Sequence, residues 1–313
     1  MVSVTRSVFG DLPLGAGTME KFQLQADQLG VDIISSGCTI TALEVKDRQG
    51  RASDAVLGFA ELEGYLQKHP YFGAVVGRVA KQIYKLANSL HRGVRGFDKV
   101  LRTPWVLSNG IKFSRVSPDG ELKVWVTYTL DGRELVVNSQ AQASQTAPVN
   151  LTSHSYFNLV GQGSPNIYDH EVTIEADAFL PADENLIPTG EVAPMQGAAF
   201  DLRKPAELGK HLQEFHINGF DHTFRLKGSK EKQFRVRVHH AGSGRVLEVY
   251  TTQPGIQFYT GNFLGGTLKG QTGAVCPKHS GFCLETQNWP DTVNQPHFPS
   301  VSSNTPLAHS TWW

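Results

Sequence analysis

Three observations predict an all-β protein. Apolar residues alternate with polar ones in many short runs, which is the period of a strand rather than of a helix. Turn-forming residues, among them 31 glycines and 16 prolines, separate these runs. Helical spacing is confined to short stretches. Short strands separated by turns about every 8–12 residues are typical of a β-sandwich or barrel.

The N-terminal part of the chain contains two strand patterns and one helix pattern. Residues 31–34 and 40–45 are short runs rich in β-branched residues, and the turn sequence at 47–50 ends the second run. Residues 59–68 have the composition of a short surface helix. Pro70 follows this stretch, and proline does not continue a helix.

The clearest pattern in the chain is a hairpin. Residues 122–130 place Leu122, Val126 and Leu130 on one face, and the alternation resumes at residues 135–141. Asp131-Gly132 lies between the two runs. A type I′ turn needs positive φ at both central residues, which Asp-Gly tolerates, so we expect the hairpin to turn there.

The C-terminal half repeats the strand pattern and then loses it. Residues 172–175, 234–238 and 245–251 alternate, whereas the Ser/Pro-rich tail from 296 to 313 does not. No linker divides the chain convincingly. We therefore predict one large β domain over residues 1–313.

Composition excludes several classes of partner. The chain has 29 Lys and Arg and 29 Asp and Glu, so its net charge is zero and a nucleic-acid partner is not indicated. No apolar run approaches the roughly 18 residues of a membrane span, and the N-terminus lacks a signal-peptide pattern. The three cysteines, Cys38, Cys276 and Cys283, are too few for a disulfide scaffold. We expect buried thiols and a cytoplasmic protein.

The common catalytic motifs are missing from the sequence. It has no phosphate-binding GxxxxGK[ST] loop, no GxSxG elbow and no HExxH. His239 and His240 are adjacent in a predicted strand, so their side chains point to opposite faces. Kinase, serine hydrolase and metallohydrolase functions are therefore disfavoured.

Five polar segments remain, and each combines hydrogen-bonding side chains with aromatic rings. They are residues 88–98, 149–159, 218–222, 253–262 and 281–291. That mixture suits a sugar, since its hydroxyls need polar partners and its C–H faces pack on rings.

In this order, the five segments resemble the vertebrate type of aldose 1-epimerase (galactose mutarotase) over about residues 3–299. The most specific motifs are Thr-x-His-x-Tyr-Phe-Asn-Leu at 152–159 and Phe-Cys-Leu-Glu-Thr-Gln at 282–287. The resemblance implies a large twisted antiparallel β-sandwich, the galactose mutarotase-like supersandwich. It also implies an open cleft across one sheet and a small aldose as substrate. We expect a monomer, and the chemistry requires no metal or organic cofactor.

The resemblance also implies site residues. The family's general acid falls on His154 and its general base on Glu285, while its sugar-contacting residues fall on His91, Asp221 and Gln257. These residue types suit anomer exchange, in which a base takes the proton from O1 while an acid protonates O5. A carboxylate and an imidazolium can exchange these roles when the ring closes on the other face of C1.

Alternatives remain for individual residues. Asp221 could instead cap a turn after Asn218-Gly219, and His91 could be a solvated loop residue. Five other histidines match no motif and are expected at the surface: His170, His211, His216, His279 and His297.

The chain also departs from the family pattern. Lys81 and Gln82 stand where the family carries Asn-Arg, and Ser153 replaces an Asn beside the predicted acid. The chain is shorter than the family after Lys85 and after Gly120, and its tail diverges from about residue 296. These departures leave two hypotheses, a working aldose 1-epimerase or a catalytically impaired or inactive sugar-binding variant. The presence of both His154 and Glu285 favours the enzyme.

Overall fold

The computed structural model describes residues 2–67, 70–77, 79, 96–117, 120–227, 231–300, 302–303 and 307–313. The first strands of this part are β1 (Ser3–Asp11), β2 (Thr18–Gln25), β3 (Leu29–Ile34), β4 (Thr39–Lys46), β5 (Ala52–Asp54), β6 (Val75–Val76), β7 (Thr103–Leu107), β8 (Gly110–Val116), β9 (Leu122–Asp131), β10 (Glu134–Ala143), β11 (Ala147–Pro148) and β12 (Thr152–Ser153). The later ones are β13 (Tyr156–Phe157), β14 (His170–Ile174), β15 (Ala176–Leu180), β16 (Ala193–Pro194), β17 (Ala206–Glu207), β18 (Asp221–Leu226), β19 (Gln233–His240), β20 (Val246–Thr251), β21 (Gly255–Tyr259), β22 (Phe282–Gln287), β23 (Ser302–Ser303) and β24 (Leu307–Trp312).

Helices are short, as the sequence predicts. The described residues form α1 (Leu62–Leu66), α2 (Leu208–Glu214) and two 3₁₀ turns, Pro13–Gly15 and Phe97–Lys99. The helix expected within residues 59–68 is therefore confirmed, although it is only five residues long. Neither described α-helix is long and apolar enough to cross a membrane.

Three antiparallel sheets contain most of the described strands. The largest has nine strands in the order β17-β14-β19-β20-β24-β10-β9-β8-β7, and a second has six in the order β13-β22-β21-β18-β15-β16. The third is the N-terminal meander of β1 to β5. The predicted all-β class and antiparallel sandwich are thereby confirmed.

One apolar core joins these sheets. Val126 of the nine-stranded sheet, Phe258 of the six-stranded sheet and Phe22 of the N-terminal sheet all belong to one cluster of buried side chains. Phe22 packs edge-on against Phe113 at 5.6 Å between ring centroids, which ties β2 to β8. The apolar face predicted for residues 122–130 is this core face, since alternate side chains there are buried.

The central hairpin forms one residue later than predicted. β9 and β10 pair with Asp131 opposite Glu134, so the two turn residues are Gly132 and Arg133. Only Gly132, with φ of 61°, has positive φ at this turn. A single positive φ at the first central residue is the type II′ pattern, for which glycine at that position is enough.

The C-terminal tail contradicts the sequence prediction. We expected no strand pattern after residue 296, yet β24 lies between β20 and β10 in the nine-stranded sheet. Its register places Val136 opposite Trp312, and Trp313 and Leu135 exchange both backbone hydrogen bonds. The strand forms because backbone groups on both neighbours need partners, a demand that no local hydrophobic pattern reveals.

The prediction that five histidines lie at the surface was wrong for three of them. His170, His211 and His279 are buried, whereas His216 and His297 are exposed as expected. Backbone groups satisfy the buried rings: for example, the His170 Nε2 accepts the Leu159 N–H at 2.9 Å. A ring whose nitrogens are both hydrogen-bonded can be buried at little cost. The three cysteines are free and buried, as predicted.

Candidate active site

Three neighbouring strands of the six-stranded sheet bring the predicted polar residues together. Gln257 of β21 pairs with Thr223 of β18 on one side and with Glu285 of β22 on the other. Since directly opposed residues share a face, these three side chains form one row. Asp221 and Cys283 belong to the next row, each opposite Tyr259. The sequences of these strands are mostly apolar, but their pairing in the sheet aligns the polar side chains into one row.

His154 reaches this face from the short segment between β12 and β13. Its backbone is fixed on both sides, because His154 N–H donates to Ala74 and the His154 carbonyl accepts from Gly73. The ring lies between Tyr71 and Tyr156, with centroid distances of 5.8 and 5.2 Å. Packing therefore sets the orientation of this imidazole.

The predicted acid and base meet. His154 Nε2 lies 3.6 Å from Glu285 Oε1, and the two side chains are only 7% and 6% exposed. This distance exceeds that of an ordinary hydrogen bond. A buried carboxylate facing an imidazole is a common arrangement for proton transfer at neutral pH.

Gln257 is held by a relay of hydrogen bonds. The Thr223 hydroxyl donates to Gln257 Oε1 at 2.6 Å, and Gln257 Nε2 donates to Asp221 Oδ1. Thr223 and Gln257 are buried, while Asp221 is half-buried. Because the carbonyl end of the amide is occupied by a donor, its NH₂ end must point toward Asp221. Asp221 itself is the first residue of β18 and receives this bond from the neighbouring strand.

The thiol and phenols around the pair remain protonated. Burial, with smaller contributions from the Glu285 and Asp221 charges, raises the pKa of the Cys283 thiol well above its usual value. Burial likewise raises the pKa of the Tyr156 and Tyr259 phenols. Burial is therefore the main influence on these groups, and the Glu285 and Asp221 carboxylates add to its effect on the thiol.

Not every predicted residue can be placed. Lys81, Gln82 and His91 lie outside the described residues, as do the residues around the expected gap after Lys85.

Two residues in the strand rows of the site, Thr223 and Cys283, were not among the predicted site residues. Each lies two residues from a predicted site residue, Asp221 or Glu285 respectively, and the period of two would have placed them on the same face.

Comparison with known proteins identifies the family. The sequence model of the family described as aldose 1-epimerase matches residues 20–306. The chain belongs to the aldose 1-epimerase family. The galactose mutarotases of Sus scrofa and Homo sapiens are 79% and 74% identical to it, over 100% of this chain and 98% of each relative. The predicted vertebrate type is thus confirmed.

Solved structures agree with the fold of this aldose 1-epimerase family member. A homologue of aldose epimerase from C. elegans superposes with a TM-score of 0.84, covering 91% of this chain and 94% of that one at 24% identity. The alignments with the Sus scrofa and Homo sapiens relatives extend over 337 positions, against 313 residues here. The relatives therefore carry about two dozen residues without a counterpart, which agrees with the expectation of a shorter chain.

Proposed function

We propose that this chain is an aldose 1-epimerase that interconverts the α and β anomers of galactose and glucose. The observation that carries the proposal is the buried approach of His154 Nε2 to Glu285 Oε1 at 3.6 Å. O1 and O5 of a hemiacetal are bonded to the same carbon. An acid and a base that serve both oxygens must therefore lie side by side, as this pair does.

In the proposed mechanism, Glu285 takes the proton from O1 while His154 gives a proton to O5. The C1–O5 bond breaks, C1 becomes an aldehyde carbon, and rotation about C1–C2 presents its other face. His154 then takes the proton back from O5 as the bond re-forms, and Glu285 returns its proton to O1. No proton is gained or lost overall, and no step requires a metal or an organic cofactor.

The other predicted residues would bind the sugar. The Asp221 carboxylate and the Gln257 amide line the strand rows beside Glu285, where they can accept from and donate to ring hydroxyls. His91 has the same role by resemblance. Lys81 and Gln82 stand at the sequence positions where the family carries Asn-Arg, and they would bind a sugar hydroxyl more weakly than an Arg fork does.

The proposal is tested by polarimetry of freshly dissolved α-galactose. We expect the purified protein to speed the approach to equilibrium without changing the final rotation. Glu285→Gln keeps the shape of the side chain but removes the base, so the rate should fall by a factor on the order of 10²–10⁴. Glu184→Gln, a substitution of the same kind at an exposed position, is the matched control and should retain full activity.

Two outcomes would contradict parts of the proposal. A folded protein that does not exceed the buffer rate at several concentrations points to the impaired sugar-binding variant instead. Full activity in Glu285→Gln makes Asp221 the next candidate for the base. Either result leaves the fold assignment intact, since circular dichroism reports folding independently.

We further propose that residues 1–313 act as one domain and as a monomer in the cytoplasm, without nucleic-acid or membrane partners. Net charge of zero and three buried free cysteines support this setting. Size-exclusion chromatography with light scattering tests the oligomeric state, and imaging of a tagged chain in cells tests the location.

A further inference from the structure

The active-site pair has a third neighbour with different chemistry. The Cys283 Sγ lies 3.6 Å from His154 Nδ1, and it shares a strand face with Glu285 two residues later. One ligand atom from each of these three residues lies within 4.8 Å of the others, and all three residues are buried. Imidazole nitrogen, thiolate sulfur and carboxylate oxygen are the ligand atoms that Zn²⁺ prefers in proteins.

The backbone holds these side chains in place. β22 carries both Cys283 and Glu285 and is paired with β13 on one side and β21 on the other. His154 is anchored by its own backbone hydrogen bonds to residues 73 and 74. In a tetrahedral Zn²⁺ site with bonds of about 2.0–2.3 Å, ligand atoms lie about 3.3–3.8 Å apart. The ligand atoms, which lie within 4.8 Å of one another, would need to approach by up to about 1.5 Å. The Cys283 thiol faces Nδ1 and the Glu285 carboxylate faces Nε2, so one of them must turn toward the other's ring nitrogen to share a cation.

The electrostatics favour a cation. Asp221 and Cys283 both lie opposite Tyr259, and Glu285 follows two residues along β22, so two carboxylates stand near the thiol on this face. A divalent cation among these groups reverses the sign of the local field and stabilises the thiolate. Cys276 is buried to a similar extent but belongs to no such ligand group within the described part of the chain.

We propose that His154, Cys283 and Glu285 bind a thiophilic divalent cation such as Zn²⁺, and that the bound cation blocks anomer exchange. Binding replaces the thiol proton, which passes to solvent, and water completes the coordination. The cation occupies the imidazole and the carboxylate that would move protons. The inhibitory part rests on the proposed function, whereas the binding part does not.

Binding is tested with Co²⁺, because its absorption reports a thiolate ligand directly. We expect one Co²⁺ per chain, a thiolate-to-cobalt charge-transfer band, and displacement of the signal by Zn²⁺. Cys283→Ser should abolish the band, whereas the matched variant Cys276→Ser should keep it. A spectrum without a thiolate band, or one that Cys283→Ser leaves unchanged, overturns the proposal.

Zinc-edge absorption spectroscopy of the unmodified chain covers the case in which Cys283→Ser does not fold. One sulfur scatterer at about 2.3 Å together with nitrogen or oxygen at about 2.0–2.1 Å supports the site. A shell of nitrogen and oxygen alone contradicts it. This measurement requires neither a variant nor catalytic activity.

Inhibition is tested by polarimetry, which needs no coupling enzyme that zinc could inhibit. At ten times the dissociation constant for Zn²⁺, we expect a loss of activity of about tenfold, reversed by EDTA and lessened by high galactose. An active chain that binds Zn²⁺ and keeps its rate overturns the inhibitory part. A chain that binds Zn²⁺ but never shows activity instead refutes the proposed function.

Discussion

Replacing Thr223 with valine tests whether the hydrogen-bond relay positions the sugar-binding amide. The substitution keeps the branched shape and removes the hydroxyl that donates to Gln257 Oε1 at 2.6 Å. Gln257 is 1% exposed, so its carbonyl oxygen then has to find another donor inside the protein. Leaving a buried acceptor unpaired costs about 1–3 kcal/mol. We therefore expect the free energy of unfolding to fall by about that amount.

The same substitution should change sugar binding more than proton transfer. Without Thr223, the Gln257 amide can rotate and withdraw its NH₂ group from Asp221, and binding must restore the original orientation. If that restoration consumes about 1–2 kcal/mol, KM rises roughly 5- to 30-fold at 1.4 kcal/mol per decade. The value of kcat should change less than KM, because the His154–Glu285 pair keeps its geometry.

Urea denaturation and steady-state kinetics on α-galactose measure these two effects. Thr223→Ser restores the donor and should recover KM, while Thr127→Val provides a control at a half-exposed position on β9. A drop in kcat with unchanged KM would refute the positioning argument. Loss of stability without any kinetic change would show that the relay serves the fold alone.

Three further predictions concern stability and binding. Burial, reinforced by the nearby His240, lowers the pKa of His170 to about 3. The His170 ring therefore stays neutral in the folded protein, whereas in the unfolded chain it takes up a proton below about pH 6.5. The free energy of unfolding should therefore fall by up to ~1.4 kcal/mol per pH unit between pH 6.5 and 3, and His170→Gln should reduce this slope in urea titrations. Arg245 donates to four backbone carbonyls, and Arg245→Lys should lower Tm and cost on the order of 2–4 kcal/mol, since an ammonium cannot span them. Replacing Lys81 and Gln82 by Asn and Arg should lower KM roughly 10- to 150-fold, and an unchanged KM would mean that this segment does not reach the sugar.

The sequence predicts the sheets better than their ends. The hairpin of β9 and β10 follows from alternation, but the turn lies at Gly132-Arg133, because one flexible φ is sufficient for the chain to reverse. β24 was missed altogether. Its place depends on β20 and β10, which are distant in the sequence and leave no local signal near residue 307.

For the candidate site, too, the main residues could be predicted from the sequence and their supporting contacts could not. Resemblance supplied His154, Glu285, Asp221 and Gln257, and the strand register then brings them together. Their supporting contacts could not be read from composition, because a threonine or cysteine in a strand is usually unremarkable. Which threonine contacts Gln257 depends on the pairing of β18 with β21, and pairing is a property of the folded chain.

The position of β24 has a consequence for how the protein is made. Residues 307–312 fill the middle of the nine-stranded sheet, between strands that are translated earlier. Asn138, for example, hydrogen-bonds Ser310 across 172 positions of sequence. Contacts this distant are slow to form, and they cannot form until residues 307–312 have left the ribosome. Until then β10 and β20 expose edges without their partner strand, and such edges are sites at which a nascent chain can aggregate.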